Sequence, residues 1–344
     1  MLPGFLFPKY IKYLKKQSKL KKISRQVFVT LVAGVIIYFL LSVYGDFTNV
    51  LDSFKRFNWI FIPLLLLLTC MNYFFRFLKW EYYLRLLGIK VERKLSASIF
   101  FSGLIMSVTP MKAGEFLKSY LLKQTINEPV SKTAPVIFAE RMTDLTSLLI
   151  VGAAGGLFFN YGINLIIIVS IIFASIIVVI PNRNLCLGIF SYAERMPFIK
   201  RYSHKLYNLY ESSYLMFRFK PLILMIMLSL FSWCFELIAV FIILHIFNPD
   251  ITFFASSFIF AFSTVFGAVT MLPGGLGATE GSLTFLIMRY GFAKESAIAS
   301  TLIIRVVTLW FAVLLGMISL YLFQKKFGNL ISNDLIKETQ NGTV

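Results

Sequence analysis

The sequence predicts an all-α polytopic membrane protein with about six full spans plus two broken re-entrant helical hairpins, built as an inverted internal repeat. Hydrophobic residues make up 58% of its 344 residues and charged residues only 15%, whereas soluble domains carry roughly 25% charged residues. The mean hydropathy is +0.78. Long apolar segments alternate with short basic ones, and two Pro/Gly motifs recur at a constant spacing.

The first apolar segment, residues 27–44, follows a basic stretch and is long enough to cross a hydrocarbon core of ~30 Å. A cleavable signal peptide is the alternative, but the apolar run is too long and is followed by a poor cleavage site. We therefore expect an uncleaved first helix. The later apolar segments are 59–78, 95–109, 133–159, 163–180, 221–246, 251–272, 276–290 and 295–323.

Two of these segments, 95–109 and 276–290, are short for a full span, which needs ~20 residues, and each adjoins a Pro/Gly motif. A short helix is tolerated at membrane depth when it re-enters and returns on the same side, buried against protein. The sequence therefore predicts helical hairpins at 95–123 and 251–290, each broken at its motif.

The distribution of Lys and Arg predicts the orientation. Six spans that start from a cytoplasmic N-terminus place the basic segments 79–94, 118–132 and 181–220 inside, together with Lys325 and Lys326. Because basic segments remain on the cytoplasmic side, we expect a multi-pass protein of the inner (cytoplasmic) membrane with both termini cytoplasmic.

The expected domain organisation follows from these segments. It comprises a basic cytoplasmic N-terminus at 1–26, a transmembrane domain at 27–325 and a cytoplasmic tail at 326–344. The repeat units cover 58–160 and 221–323, and the cytoplasmic loop 181–220 lies between them. That loop mixes aromatic and basic residues. It is either an amphipathic helix on the membrane surface or a connection whose charges anchor the topology.

The internal repeat is visible in two motifs, TPMKAGE at 109–115 and LPGGLGATE at 272–280. The matching residues are Pro110 and Pro273, Gly114 and Gly277 (both 163 positions apart), and Arg141 and Arg305 (164 positions apart). Three membrane crossings between equivalent points would invert the second unit. Paired helix breaks in inverted halves are typical of carrier binding sites, although either motif alone is as readily a simple kink.

Charged residues inside apolar segments cost about 2.5–3.5 kcal/mol to insert, so each is a candidate functional residue. Arg141 and Asp144, three positions apart on one helix, are expected to form an ion pair. Arg76 lies near a segment end and is expected to snorkel to the headgroups, with Trp80, Tyr82 and Tyr83 as interface anchors. The candidate substrate-binding residues are Lys112, Gly114, Glu115, Glu140, Arg141, Asp144, Glu236, Gly274, Gly275, Gly277, Glu280 and Arg305.

These residue types suit a phosphate-bearing substrate. Broken hairpins offer half-helix N-termini with free N–H groups and partial positive charge, and glycines allow close backbone approach. Arg141 and Arg305 can clamp a phosphate through their guanidinium forks, with Lys112 as a further cation. Glu115 and Glu280 either cap the half-helices or bind a proton or a headgroup amine.

Other function classes lack the necessary residues. The positive charges, net +18, lie in short runs between apolar segments, which argues against a nucleic-acid partner. The three cysteines and two histidines are widely spaced, so neither a metal site nor a disulfide framework is expected. There is no Walker-type phosphate loop, and no cofactor is expected.

The chain resembles the transmembrane, flippase-like region of lysylphosphatidylglycerol synthases. The likeness covers residues 25–325 and rests on Arg76 with Trp80, PMKAGE at 110–115, ERMTD at 140–144 and PGGLG at 273–277 with Glu280. In that family the membrane region is taken to move a lipid headgroup between leaflets, and a separate soluble domain transfers lysine. The resemblance implies the stand-alone form, because no stretch here is large enough for the synthase domain.

The resemblance and the residues together predict a lipid translocase. The expected substrate is an anionic or aminoacylated phospholipid or a polyprenyl-phosphate lipid. One alternative is an integral-membrane transferase acting on lipid, with Glu280 or Asp144 as general base. Another is a non-transporting membrane partner of a separately encoded soluble transferase.

Overall fold

The computed structural model describes residues 29–109, 114–156, 163–183, 186 and 203–340, and within these ranges every regular element is helical. The α-helices are α1 (Val29–Tyr44), α2 (Phe47–Arg56), α3 (Ile62–Leu86), α4 (Arg93–Gly103), α5 (Leu117–Ile126), α6 (Val130–Gly156), α7 (Ile163–Val179), α8 (Ser203–Phe217), α9 (Phe219–Phe247), α10 (Phe253–Val269), α11 (Ala278–Arg289), α12 (Lys294–Arg305) and α13 (Phe311–Gln340). Short 3-10 turns lie at Trp59–Phe61, Leu104–Val108 and Pro273–Gly275, and a π-turn at Val306–Trp310 joins α12 to α13.

Three helical stretches in the described residues are long and apolar enough to cross a membrane: Trp59–Leu86, Phe219–Phe247 and Lys294–Lys326. A fourth is added if α1 and α2, which meet at 98°, are one broken span. The predicted count of six full spans is therefore not confirmed by length and composition. Helix α6 has 27 residues but carries Lys132, Glu140, Arg141 and Asp144, so its composition is not that of a simple span.

The helix breaks predicted at the two Pro/Gly motifs are present. Helix α4 passes into the turn Leu104–Val108, and α5 begins at Leu117. Helix α10 ends at Val269, and the turn Pro273–Gly275 precedes α11. The two breaks touch each other, because a β-carbon added to Gly274 would lie 3.3 Å from the Val108 Cα atom. Gly274 also has φ of 62°, a value that residues with a β-carbon rarely adopt.

The first long helix of each half packs against its counterpart. Helices α3 and α9 are held by two reciprocal hydrogen bonds: Asn72 Nδ2 donates to the Ser232 carbonyl (2.9 Å), and Ser232 Oγ donates to the Asn72 carbonyl (3.0 Å). At the next residue of α3, the Tyr73 hydroxyl donates to the carbonyl of Thr308 in the π-turn, at 2.8 Å. These bonds satisfy polar groups that would be costly in an apolar interior, and they tie the two halves together.

Part of the predicted cytoplasmic loop forms a helix. Residues 203–217 make up α8, which packs along α6, with Tyr210, Met216 and Phe217 buried. The segment is therefore attached to the helix bundle. Residues 187–202 of this loop lie outside the described residues.

Gly316 is a point where no side chain fits. A β-carbon there would lie 2.1 Å from the backbone nitrogen of Ile105 and 2.8 Å from the carbonyl carbon of Leu104. Backbone atoms of a packed turn cannot move aside cheaply. Gly316→Ala is therefore expected to cost about 1–3 kcal/mol of stability, measured as a lower thermal unfolding midpoint in detergent.

Gly281→Ala is the matched control, because nothing lies within 4 Å of a β-carbon at that helical glycine. Alanine is a better helix former by ~1 kcal/mol, so this variant should be as stable as the wild type or more so. Equal midpoints for Gly316→Ala and Gly281→Ala would contradict the close contact of α13 with the Leu104–Val108 turn.

Candidate functional site

Six of the twelve predicted site residues lie in two groups of buried charges. The first, called here the N-terminal ion cluster, consists of Arg76, Lys79, Glu115, Lys118, Glu140, Arg141 and Asp144. The second, called the C-terminal ion pair, consists of Glu280 and Arg305. Helices α3, α5 and α6 and the turn before α5 supply the cluster, and α11 and α12 supply the pair.

At the first helix break, carboxylates and cations form two short ion pairs. The Arg141 Nη2 atom donates to Glu115 Oε2 at 2.6 Å, and Lys118 Nζ donates to Glu140 Oε2 at 2.5 Å. Lys118 also approaches Glu115, at 3.8 Å, and lies 4.8 Å from the centroid of the Trp80 ring. Lysine thus lies between two carboxylates and over an aromatic face, which stabilises an ammonium away from water.

Asp144 forms the other end of the cluster. Its Oδ1 atom accepts hydrogen bonds from Lys79 Nζ and from Ser229 Oγ (3.1 Å), and its Oδ2 atom lies 3.6 Å from Arg76 Nε. The predicted pair with Arg141 is present but long, at 3.9 Å. Asp144 therefore links helix α3 to α6 and, through Ser229, to α9.

The interpretation of Arg76 and Trp80 as interface residues is wrong. Arg76 is 8% exposed and paired with Asp144, and Trp80 and Tyr83 are fully buried.

Two further members of the cluster, Lys79 and Lys118, were not predicted as site residues, because their positions beside apolar segments assigned them to cytoplasmic segments. Helix α3 continues to Leu86, so Lys79 lies inside the bundle. A usable signal was present: Arg76, Lys79 and Tyr83 recur at helical spacing and share one face.

The C-terminal ion pair is built at the second break. Arg305 Nε donates to Glu280 Oε1 at 2.7 Å, and Arg305 Nη2 donates to the Gly274 carbonyl at 2.7 Å. The Gly277 N–H donates to Glu280 Oε2 at 2.8 Å, so this glutamate caps the N-terminus of α11. Tyr38 of α1 approaches Glu280 Oε1 at 3.4 Å and accepts a hydrogen bond from Trp310 Nε1. Of the two roles predicted for Glu280, capping is the one observed.

The two breaks carry the same contact. In the first half, Glu115 precedes α5 and pairs with Arg141 on the next helix, at 2.6 Å. In the second half, Glu280 opens α11 and pairs with Arg305 on the next helix, at 2.7 Å. The two arginines occupy matching positions in the predicted repeat units. In the structure, each arginine also binds the carboxylate at the helix break of its own unit.

The remaining predicted residues have different surroundings. Glu236 on α9 is 4% exposed and close enough to Arg76 for a Coulombic interaction. Gly114 lies against Met106 and Thr109 of the first break, and its N–H donates to Thr109 Oγ1. Gly275 packs against Thr279. Lys112 lies outside the described residues.

The buried charges balance. Arg76, Lys79, Lys118 and Arg141 oppose Glu115, Glu140, Asp144 and Glu236, and Arg305 opposes Glu280. Unpaired ions are strongly disfavoured in an apolar interior, so this balance is required for stability.

Arg141 is the most accessible member of the N-terminal ion cluster, with 18% of its side chain exposed against 3% for Glu115. Its Nε atom is buried and has no hydrogen-bond partner within the described ranges.

Fold and site together define a class: a multi-pass membrane protein with paired charges buried at two helix breaks. The chain belongs to the family described as the lysylphosphatidylglycerol synthase TM region, whose profile matches residues 26–316. This confirms the family suggested by the sequence motifs. Its membrane location is consistent with the family and with the apolar helices.

Similar proteins occur in archaea. A UPF0104 membrane protein of Methanocaldococcus jannaschii is 27% identical over 69% of this chain and 98% of its own length. One from Methanothermobacter thermautotrophicus is 23% identical over 86% of this chain and 93% of its own. One from Pyrococcus horikoshii is 21% identical over 84% and 95%, respectively. This chain thus spans nearly the full length of these relatives.

The C-terminal ion pair predicts strong coupling between its members. Glu280→Gln and Arg305→Met, made singly, each leave a buried charge without its partner and should cost about 3–5 kcal/mol. The double variant removes both charges and should cost less than the sum of the single variants, by about 1–3 kcal/mol. Denaturant unfolding in detergent measures this double-mutant cycle.

Asp52 and Lys55 provide the control cycle, because their ion pair is short (2.7 Å) but exposed on α2. Asp52→Asn and Lys55→Met should show no measurable coupling, since exposed pairs are screened by water. Additive costs for Glu280→Gln and Arg305→Met would show that the buried contact is not a paired charge.

Proposed function

We propose that this protein carries a phosphate-bearing lipid headgroup across the membrane. The substrate class is an anionic or aminoacylated phospholipid or a polyprenyl-phosphate lipid. The observation that carries the proposal is the repeated carboxylate–arginine pair, Glu115 with Arg141 and Glu280 with Arg305, at two helix breaks that touch each other. Membership of the lysylphosphatidylglycerol synthase TM region family supports a role in lipid metabolism.

The mechanism we propose is an exchange of partners. A phosphate that reaches Arg141 or Arg305 replaces the carboxylate, because guanidinium forks bind phosphate and carboxylate in the same geometry. The partial exposure of the Arg141 side chain makes it the first contact. Glu115 is then released from Arg141 and must be neutralised, since an unpaired buried charge is costly.

Charge balance favours a headgroup that also carries an amine. A simple anion adds negative charge to a balanced cluster, so Glu115 or Glu280 would have to take up a proton. An aminoacylated headgroup brings its own ammonium, which can pair with the released carboxylate while the phosphate occupies the arginine. With one ammonium for each phosphate charge, the exchange leaves the net charge of the site unchanged; a lysyl headgroup, which has two ammonium groups, adds one positive charge. The acyl chains remain in the surrounding lipid, so no enclosed pore is needed.

The membrane arrangement belongs to the same proposal. We propose six full spans with two re-entrant hairpins, at 95–123 and 251–290, in inverted repeat units, with both termini in the cytoplasm. Two features support it. Helix–break–helix elements occupy both hairpins. In addition, Lys294, at the start of α12, lies 3.5 Å from the centroid of the Tyr44 ring, and both residues fall on the predicted outer side.

The structure gives less support to a transferase. A general base needs a carboxylate oxygen free to accept a proton from substrate. Both oxygens of Glu280 accept hydrogen bonds, from Arg305 and from the Gly277 N–H, and Asp144 Oδ1 accepts from Lys79 and Ser229. Asp144 Oδ2 accepts no hydrogen bond within the described ranges, but it is buried and lies 3.6 Å from Arg76 Nε. A nearby guanidinium stabilises the ionised carboxylate and so makes it a weaker base. A separately encoded transferase remains compatible with a carrier that moves its lipid product.

Headgroup translocation in proteoliposomes tests the proposal. Fluorescently labelled phosphatidylglycerol, lysyl-phosphatidylglycerol and phosphatidylcholine are quenched from outside, with and without a proton gradient. The translocation rate with the wild type should exceed the rate in empty vesicles. In Glu280→Ala and Arg305→Ala this excess rate should be at least about tenfold smaller, equivalent to a barrier higher by ~1.4 kcal/mol.

Lys55→Ala is the matched control, since it removes an exposed cation far from either break in sequence, and it should translocate like the wild type. Arg305→Lys keeps the charge but loses the fork, and its rate should lie between those of the wild type and Arg305→Ala. A wild-type rate equal to that of empty vesicles for every lipid would rule out the carrier function.

A further inference from the structure

A cleft lies between the end of α3 and the start of α4. It has a volume of ≈ 470 Å³ and does not involve the residues of either buried ion group. The connecting turn includes Gly88, whose φ of 69° lets the chain reverse direction there. The residues that line the cleft are Glu81, Leu84, Arg85, Gly88, Ile89, Lys90, Val91 and Arg93.

The cleft is strongly cationic. Arg85, Lys90 and Arg93 line it with exposed side chains, against a single lining carboxylate, Glu81. Arg85 lies 3.6 Å from Glu81, whereas Lys90 and Arg93 form no ion pair within the described ranges. Glu92 lies between them in the sequence but does not line the cleft, so the lining itself carries a net positive charge.

The start of α4 adds to the positive potential. Its N-cap residue, Glu92, makes no side-chain hydrogen bond to the helix, so the first-turn N–H groups lack a capping side chain. Such N–H groups and the helix dipole favour an anion. Arg93, which lines the cleft, is the first residue of this turn.

The position of the cleft at the end of a long apolar helix favours a lipid as the source of the anion. Helix α3 has 25 residues, or about 37 Å at 1.5 Å per residue. A helix of that length exceeds a hydrocarbon core of ~30 Å, so we expect its end to lie in the headgroup layer. The phosphates of membrane lipids lie in the same layer.

The cleft is also connected to the N-terminal ion cluster. Glu81 accepts a hydrogen bond from Ser96 Oγ, which in turn accepts one from Trp80 Nε1 at 3.2 Å. The Trp80 ring faces Lys118, which is paired with Glu140. An anion that draws Arg85 away from Glu81 therefore acts on a chain of contacts that ends at the buried charges.

We propose that this cleft binds the phosphate of an anionic lipid headgroup through Lys90 and Arg93, with Arg85 as a third donor. It is a surface site, distinct from the pairs at the helix breaks. The proposal does not depend on translocation, because binding is measured directly at equilibrium.

Binding is tested with the full chain in neutral detergent, using a fluorescent short-chain phosphatidylglycerol and fluorescence anisotropy. Lys90→Gln/Arg93→Gln should weaken binding about tenfold or more, because two charge-assisted hydrogen bonds are lost. The control Lys55→Gln/Arg56→Gln removes two adjacent exposed cations from α2 and should stay within about twofold of the wild type. Lys90→Arg should retain binding.

Competition distinguishes the two sources of phosphate. If inorganic phosphate does not displace the probe at matched ionic strength, the lipid headgroup is required. If inorganic phosphate displaces the probe from the wild type but does not displace the probe still bound to Lys90→Gln/Arg93→Gln, the cleft is a general phosphate site. Equal loss of binding in the cleft and control variants, or no binding by the wild type, would overturn the proposal. Intact binding in Arg305→Lys despite slower translocation would show that this site and the carrier site are separate.

Discussion

The pairing of buried charges is the constraint on which the rest of this structure depends. Within the described ranges, nine Arg, Lys, Asp and Glu side chains are at most 8% exposed, in helical segments that are otherwise apolar. Each would be prohibitively costly alone, so the fold must bring opposite charges from different helices together. Asp144 joins α6 to Lys79 and Arg76 of α3, and Arg305 joins α12 to Glu280 of α11. The polar residues therefore specify helix packing that apolar side chains alone would leave degenerate.

The same constraint explains why the site is suited to exchange. A balanced cluster is stable as it stands, but any partner can be replaced by a ligand group of the same sign. The Glu115–Arg141 contact is the more accessible of the two pairs, because the arginine side chain is partly exposed. The second pair is held by more contacts, since Glu280 also caps α11 and Arg305 also donates to a backbone carbonyl. In the carrier proposed above, this difference would let the two halves respond differently to one substrate.

Much of the architecture was predictable from particular residues. Pro110 and Pro273 at constant spacing indicated two helix breaks, and both breaks are present. Arg141 and Arg305 were matched by position, and both bind the carboxylate of their own break. The number of membrane spans was harder to predict from the sequence. Helix α6 is long enough to cross a membrane but carries the charges of the site, so length and hydropathy do not identify it as a span.

The sequence by itself determined the class of protein, the positions of the helix breaks and the glutamates and arginines at them, because hydropathy, proline and glycine act locally. Only the tertiary structure decided which charge meets which. Lys79 and Lys118 look like ordinary basic residues beside apolar segments, and Arg76 looks like an interface residue. They are buried because α3, α5 and α6 pack together and bring carboxylates from up to 68 positions away in the chain into contact with them. Such partners are set by packing, which no local pattern encodes.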